Sequence, residues 1–502
     1  MVHNSKVNQV ILIIFDDIRA SHLFNLMNEG KLPNIDEIAN NGIKCSNCIT
    51  SYPSITFPCY SNIITGAYSD YFPKEGSAVP LYHWLNRTDP PSKDKKWPFF
   101  RNYGNGSDLL RINKDIGRNV KTIFEQAGES NFLSATSYLY RGSYFAVSKD
   151  YHNVKDILQN IELAYRNPTY FFQEKEVPLI SVGYIPHTDT LMHEKGFNHP
   201  DYIKLIIECD KCIGSLIKTL KEMGYYYSTA IGIITDHGNF KAEKVIDIEP
   251  FFNHNGLIPY NPQKGIGDFD LNFGSMGFFN FRGEDWYHHP NTKLLENYKI
   301  SGKGNRNINL FETLWKIPGV KMMYYKDDDT KPDKGTIHIL KKNEKSKVIS
   351  RATIKYQGFG KNQKTMYSYN RDDIFNYGNK VDQNKYYAID EWLLFTNQID
   401  FPLVVDQIPR YFKNPRSCDI IVSTLGTHGF NYEHGKTRSN SPFSHDIGLK
   451  SSMVVPFIIG GAEDIPSINL PYCKTTDMVP TLLELLGLNP DKSVIGKSVL
   501  KY

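Results

Sequence analysis

No apolar stretch in this chain comes near the roughly 20 residues that a membrane-spanning helix needs. The longest runs, Val10 to Phe15 and Met453 to Gly461, are of strand length, so no transmembrane segment and no membrane partner are expected. A dominant charge sign is also missing: 58 Lys and Arg stand against 54 Asp and Glu, a net +4. Spread over so large a surface, that is too little to point to specific nucleic-acid binding. Cysteine is scarce and odd in number, seven in 502 residues, which argues for reduced thiols rather than a disulfide framework. Internal repeats and low-complexity tracts are absent, which excludes solenoid and linker-type architectures. The start, MVHNSKVNQVILIIFDD, has one short apolar run ending in two acids. It reads as a first strand rather than a signal peptide, and a cytoplasmic location is the expectation.

What is present is a globular composition, 40% apolar and 22% charged, with length for roughly two to four domains. Five short Val/Ile-rich runs read as fully buried parallel strands: VILIIF (10–15), PLISVGY (178–184), AIGIIT (230–235), DIIVST (419–424) and VVPFIIG (454–460). Helical patterns lie between them. In the clearest, Ile206, Cys209, Ile213, Leu216, Leu220 and Met223 recur at spacings of three and four, with Gly224 placed as a C-cap; a second runs from Asn34 as N-cap to Gly42. Strand–helix alternation predicts an α/β fold, a doubly wound, mostly parallel sheet with helices on both faces. Residues 246–410 break the rhythm with alternating segments such as KGTIHILKK and VISRATIKYQGF, which predict antiparallel strands of an inserted α+β cap domain. The core is then 1–245, with a smaller insertion at about 72–118, and resumes at 411–502.

Acids and histidines cluster at predicted strand ends: FDD (Asp16, Asp17), HTDTLMH (Asp189, His193) and TDHG (Asp236, His237). The carboxyl ends of strands are where open α/β sheets bind ligands, and mixed oxygen and imidazole donors suit Zn²⁺ or another first-row divalent ion. Taken singly, each Asp is as well explained as a helix N-cap and each His as a surface residue; three pairs at three strand ends favour one site. YPSITFPCYSNIITG (52–66) adds hydroxyls at Ser54 and Thr56 beside a predicted helix start, where backbone N–H groups bind phosphate oxygens.

Together FDDIRA, LPNIDEIANNG, PSITFPCYSNIITG, DTLMH, TDHG and TTDMVPTLLELLGL followed by GKSVL resemble the alkaline phosphatase superfamily, in particular its type I phosphodiesterase and nucleotide pyrophosphatase branch. The resemblance covers about 1–70, 170–260 and 411–502. It implies a phosphoric ester hydrolase with two divalent metal ions, Zn²⁺ with Mn²⁺ as the alternative, and a small phosphate-ester or nucleotide-like substrate. It also implies Thr56 as the nucleophile of a phospho-threonine intermediate. Asp16, Thr56, Asp236 and His237 would surround one metal; Asp189, His193 and a last histidine would hold the other. His445, with Met453 and Pro456 eight and eleven residues on, fits the family spacing for that last place. His428 is the alternative, set apart from the final strand by a polar loop with Gly435, Lys436 and Arg438.

Two positions depart from the family. Related pyrophosphatases place Asn three residues after the nucleophile, where this chain has Cys59, so phosphate contact must come from elsewhere. Sulfatases carry Cys or Ser followed by Pro and Arg, whereas Thr56, Pro58 and Tyr60 stand here, which disfavours sulfate esters. Rival readings are a phosphomonoesterase or phosphoryl transferase on the same core, and a silent metal-containing binding protein. Cys45/Cys48 and Cys209/Cys212 form CxxC pairs that read as packing. Trp286, His288 and His289 read as cap surface, and the sequons at Asn86 and Asn105 carry no weight in a cytoplasmic chain.

Overall fold

The structure, a computed structural model, describes residues 7–71, 79–93, 96–104, 106–150, 152–302, 306–342, 349–432 and 441–501. Asn105 and the loop with Gly435, Lys436 and Arg438 lie outside these residues. The chain forms two compact units, Met1–Tyr68, Ile112–Asn239 and Ser451–Tyr502 in the first, and Ser69–Arg111 with Phe240–Lys450 in the second.

The first unit is built on a nine-stranded sheet. Its centre is Gln9–Phe15, parallel to Ile180–Ile185 on one side and to Thr229–Thr235 on the other. These strands are almost wholly apolar and buried, as strands covered on both faces must be. The register shows the double cover. A Cβ on Gly183 would meet Leu158 and Ile161 of the helix Val154–Arg166, and one on Gly232 would meet Met478 and Leu482 of the helix Met478–Leu485. Gly183 pairs with Ile13 and Gly232 with Leu12, neighbours in one strand, so the two helices pack on opposite faces.

The expected parallel direction of VVPFIIG is corrected. Val454–Gly461 runs antiparallel to both Ile43–Ile49 and Thr229–Thr235, because a strand buried on both faces carries no alternation that would betray its direction. The helix expected from Asn34 spans Pro33–Asn40. Proline at the first helical position sets the start, and the N-terminal amides of Asn34 and Ile35 donate to Asp210 at 3.1 and 2.8 Å, so the cap comes from the long helix Pro200–Glu222 rather than from Asn34. All seven cysteines are free thiols. No helix among the described residues is long and apolar enough to cross a membrane.

The second unit carries an eight-stranded sheet, from Phe269–Phe273 through Met276–Phe281, Ile420–Ser423, Met322–Lys326, Lys334–Lys342, Ile349–Gln357 and Lys364–Tyr369 to Tyr387–Ala388, antiparallel throughout. Its extent differs from the expected 246–410 at both ends. DIIVST, expected in the parallel core sheet, pairs antiparallel with Met276–Phe281 and Met322–Lys326, and Ser69–Arg111 joins the same unit. Charge explains why both segments belong here. Arg87 Nη1 donates to Asp419 at 3.0 Å, and Arg410 donates to Asp70 at 2.8 Å and to Asp406 at 2.7 Å, all of them buried. Trp286 and His289, expected at the surface, are drawn in by the same network: Trp286 is fully buried against Tyr260, and His289 Nδ1 reaches Asp419 at 2.5 Å.

This network sets an acid limit on the second unit. Burial alone would raise the Asp419 pKa, but Arg87, then His289, hold it well below the usual carboxylate range. Burial chiefly, with Lys326 and Arg87, pushes His289 down to about 4. Both folded values lie below the unfolded ones, about 6.5 for His and 3.9 for Asp, so on acidification the unfolded chain takes protons first. The stabilisation is present near neutrality, declines below about pH 6.5 as His289 resists protonation, and declines again below about pH 3.9. All five tryptophans, Trp84, Trp97, Trp286, Trp315 and Trp392, lie in this unit, so tryptophan fluorescence follows its melting alone. The midpoint is expected to fall between pH 7 and 4.5; a midpoint that rises over that interval would contradict the assignment.

Candidate active site

Three neighbouring parallel strands end at one edge of the first unit's sheet, and each delivers a carboxylate. Asp16 and Asp17 follow Gln9–Phe15, Asp236 and His237 follow Thr229–Thr235, and Asp189 lies on the helix His187–Lys195 just beyond Ile180–Ile185. Asp189 and His193 are four apart on that helix and share a face, with Oδ1 and Nε2 3.2 Å apart. Ligand atoms of Asp16, Asp189 and His237 all lie within 4.8 Å of one another.

His237 is fully buried, and its tautomer follows from its neighbours. Nδ1 lies 3.2 Å from the Gly238 carbonyl, a group that only accepts, so Nδ1 carries a proton and Nε2 is the nitrogen turned to the site. Nε2 faces Thr56 Oγ1 at 3.1 Å, Asp16 Oδ1 at 3.3 Å and Asp236 Oδ2 at 3.6 Å. Thr56 opens the helix Thr56–Thr65, whose first N–H groups have no partner within the helix. Its hydroxyl lies within hydrogen-bond distance of His237 Nε2.

Asp236 Oδ1 accepts the N–H of Asp17 at 3.1 Å and of His237 at 2.8 Å, which turns Oδ2 towards Nε2. Asp16 Oδ2 accepts from the Tyr184 hydroxyl, and the Asp16 carbonyl from Thr188. Burial first, then mutual repulsion with Asp236 and Asp189, raises the Asp16 pKa well above its ordinary value; burial likewise leads for Asp17 and Asp236, with Asp189 adding to both. The ion pairs of Asp16, Asp17 and Asp236 among the described residues run only to His237. Asp16 Oδ1 and Asp236 Oδ2 are buried and accept no hydrogen bond there. Buried carboxylates that repel one another, with unsatisfied oxygens turned to one imidazole nitrogen, are the donor set a divalent cation requires.

Among the expected residues the structure therefore gathers Asp16, Thr56, Asp189, His193, Asp236 and His237 within the first unit. His445 belongs to the second unit, just after Phe443–Ser444, which pairs with Phe240–Lys241. His428 also lies there, in a strand paired with Lys244–Asp247, its Nδ1 2.9 Å from Thr427 Oγ1. Ser54 is fully buried two residues ahead of Thr56. The Cys59 thiol is buried, 3.2 Å from Ser51 Oγ, and pushed up to about 12 by burial first and then the Asp236 charge, so it stays neutral. Sequence reasoning passed over the groups that hold these side chains: Tyr184, Thr188, Tyr202 and Asn239. Only Thr188 in HTDT and Asn239 in TDHGN stand at strand ends already marked by acids; no local signal marks Tyr184 or Tyr202.

Residues 10–304 match the profile of the type I phosphodiesterase / nucleotide pyrophosphatase family. Over 331 residues the chain is 24% identical to an uncharacterized pyrophosphatase/phosphodiesterase of Schizosaccharomyces pombe, a match covering 62% of this chain and 63% of that protein. It is 22% identical over 263 residues to ectonucleotide pyrophosphatase/phosphodiesterase family member 7 of Rattus norvegicus, covering 50% and 55%. The chain thus spans 55–63% of the length of these relatives. In fold it is similar to human ectonucleotide pyrophosphatase/phosphodiesterase 5, with a TM-score of 0.59 at 12% identity over 98% of both chains. An inactive Thr-to-Ala variant of the murine counterpart, in complex with AMP, aligns at a TM-score of 0.55 and 12% identity over 96% of both chains.

Proposed function

Because this chain belongs to the type I phosphodiesterase / nucleotide pyrophosphatase family, we propose that it is a metal-dependent hydrolase of phosphate esters, with phosphodiester or nucleotide-like substrates ahead of simple monoesters. The observation that carries this reading is Thr56 Oγ1 at a helix start, 3.1 Å from Nε2 of a buried histidine flanked by Asp16 and Asp236. The names of the relatives and the AMP held by the murine neighbour support a nucleotide-like substrate.

Asp16, Thr56, Asp236 and His237 would hold one divalent ion; Asp189, His193 and His445 would hold the second, with His428 the alternative for the last place. Such a pair, Zn²⁺ or Mn²⁺, supplies charge stabilisation for the attacking and leaving oxygens. The chain's own residues do the rest. Thr56 Oγ1 gives up its proton to solvent water and attacks phosphorus in line; the Thr–O–P bond forms as the bond to the leaving oxygen breaks, with the electron pair departing on that oxygen, which takes a proton from water. Backbone N–H groups at the start of Thr56–Thr65 receive phosphate oxygens, a task that the neutral, buried Cys59 thiol leaves to them. Water then attacks phosphorus: its oxygen bonds to phosphorus as the Oγ1–P bond breaks, one of its protons returns to Oγ1 to restore the hydroxyl, and the phosphate product leaves.

The test is a hydrolysis panel of aryl phosphate monoesters, diesters, phosphonates and sulfates on purified, metal-analysed protein. Diesters and phosphonates are expected to turn over fastest and sulfates not at all. A preference for monoesters would overturn the diester reading, product on an added alcohol would show a transferase, and bound metal without turnover would show a binding protein.

A further inference from the structure

One buried carboxylate beside the site has no place in the ligand set. Asp17 is fully buried and holds a left-handed backbone, φ 59°. That conformation is costly for a residue with a side chain and persists where the surroundings enforce it. Its N–H donates to Asp236 Oδ1 at 3.1 Å, its carbonyl accepts from the Tyr202 hydroxyl at 2.6 Å, and its Oδ1 accepts from Asn239 Nδ2 at 2.6 Å. The same Oδ1 lies 3.9 Å from His237 Nδ1, and Oδ2 is buried and accepts no hydrogen bond among the described residues.

Glycine would meet this turn without strain, and a buried carboxylate with no Lys or Arg within ion-pair distance among the described residues, Arg19 acting on it only at longer range, is costly. Turn geometry therefore does not account for an aspartate here, whereas its place behind His237 does. A histidine that ligates a metal through one ring nitrogen has the other held by an acceptor, which fixes the ring plane and raises the basicity of the ligating nitrogen. We propose that Asp17 is a positioning residue for His237: clamped by Asn239, its carboxylate joins the Gly238 carbonyl on the Nδ1 side of the ring, so that Nε2 is held towards Thr56 and Asp16. It also ties the two ends of the site together, since its N–H fixes Asp236. The inference rests on the metal-site reading above and adds a residue to it.

The experiment compares wild type, Asp17→Asn and Asp236→Asn as metal-free proteins reloaded with Zn²⁺. Zinc affinity is read by competition with a chromophoric chelator, and the thermal midpoint is read without metal. Asn keeps an acceptor for Asn239 and tolerates a left-handed backbone, so the metal-free midpoint of Asp17→Asn is expected to match wild type or exceed it. Zinc affinity is expected to fall roughly 10–100-fold. Wild-type affinity in Asp17→Asn overturns the inference and leaves the metal site standing. A lowered metal-free midpoint with unchanged affinity shows a merely structural role and overturns it too. Should Asp17→Asn fail to fold, Asp17→Gly, for which φ 59° is unstrained, gives the same readouts. A wild type that takes up no zinc, like Asp236→Asn, overturns the metal-site reading itself.

Discussion

Thr56→Ala is expected to bring turnover to background, a loss of roughly 10³–10⁶-fold, with the metal complement unchanged. Thr56 Oγ1 lies 3.1 Å from His237 Nε2, and its removal leaves the side chains of Asp16, Asp189, His193, Asp236, His237 and His445 for metal binding. Structure should survive: Ala is a good helix former, and Thr56 makes no side-chain cap in its helix. Metal analysis and steady-state kinetics on the same preparation check both halves. Activity within a few-fold of wild type would move the nucleophile elsewhere, and Ser54, fully buried, would first have to be exposed. Loss of metal together with activity would instead make Thr56 chiefly a ligand.

The second large effect is expected from Asp236 and His237. Asp236→Asn keeps an oxygen for the N–H groups of Asp17 and His237 and removes only the charge that faces Nε2. His237→Ala removes the nitrogen around which Asp16, Thr56 and Asp236 converge. Each is expected to lose about one metal equivalent and several orders of magnitude in rate, because two ions together stabilise attacking and leaving oxygens. Asp189→Ala and His193→Ala should do the same for the second ion. His445→Ala is expected to lose metal with them, whereas His428→Ala keeps its metal and at most raises KM. Full activity in a chelator-stripped sample would end the two-metal proposal, and a metal-depleted His428 variant beside a metal-replete His445 variant would reverse their roles.

The sequence by itself determined the α/β core and marked most of the candidate site residues. Apolar runs of strand length, helices of regular period and acids at strand ends are local signals, and parallel strands that end on one side bring their C-terminal residues together whatever lies between. Asp16, Asp189, Asp236 and His237 therefore stand out as candidates from local signals alone. What only the tertiary structure decided has a common cause. A strand buried on both faces has no alternation, so the antiparallel direction of Val454–Gly461 and the transfer of Ile420–Ser423 to the second sheet were set by pairing partners far along the chain. The network that draws Asp419, Arg87 and His289 inward joins residues 130 and 332 positions apart, and no window of sequence holds such a pairing. Asp17 shows the same division: its identity beside Asp16 was plain, but its left-handed backbone, its clamp by Asn239 and its place behind His237 exist only once three strand ends have met.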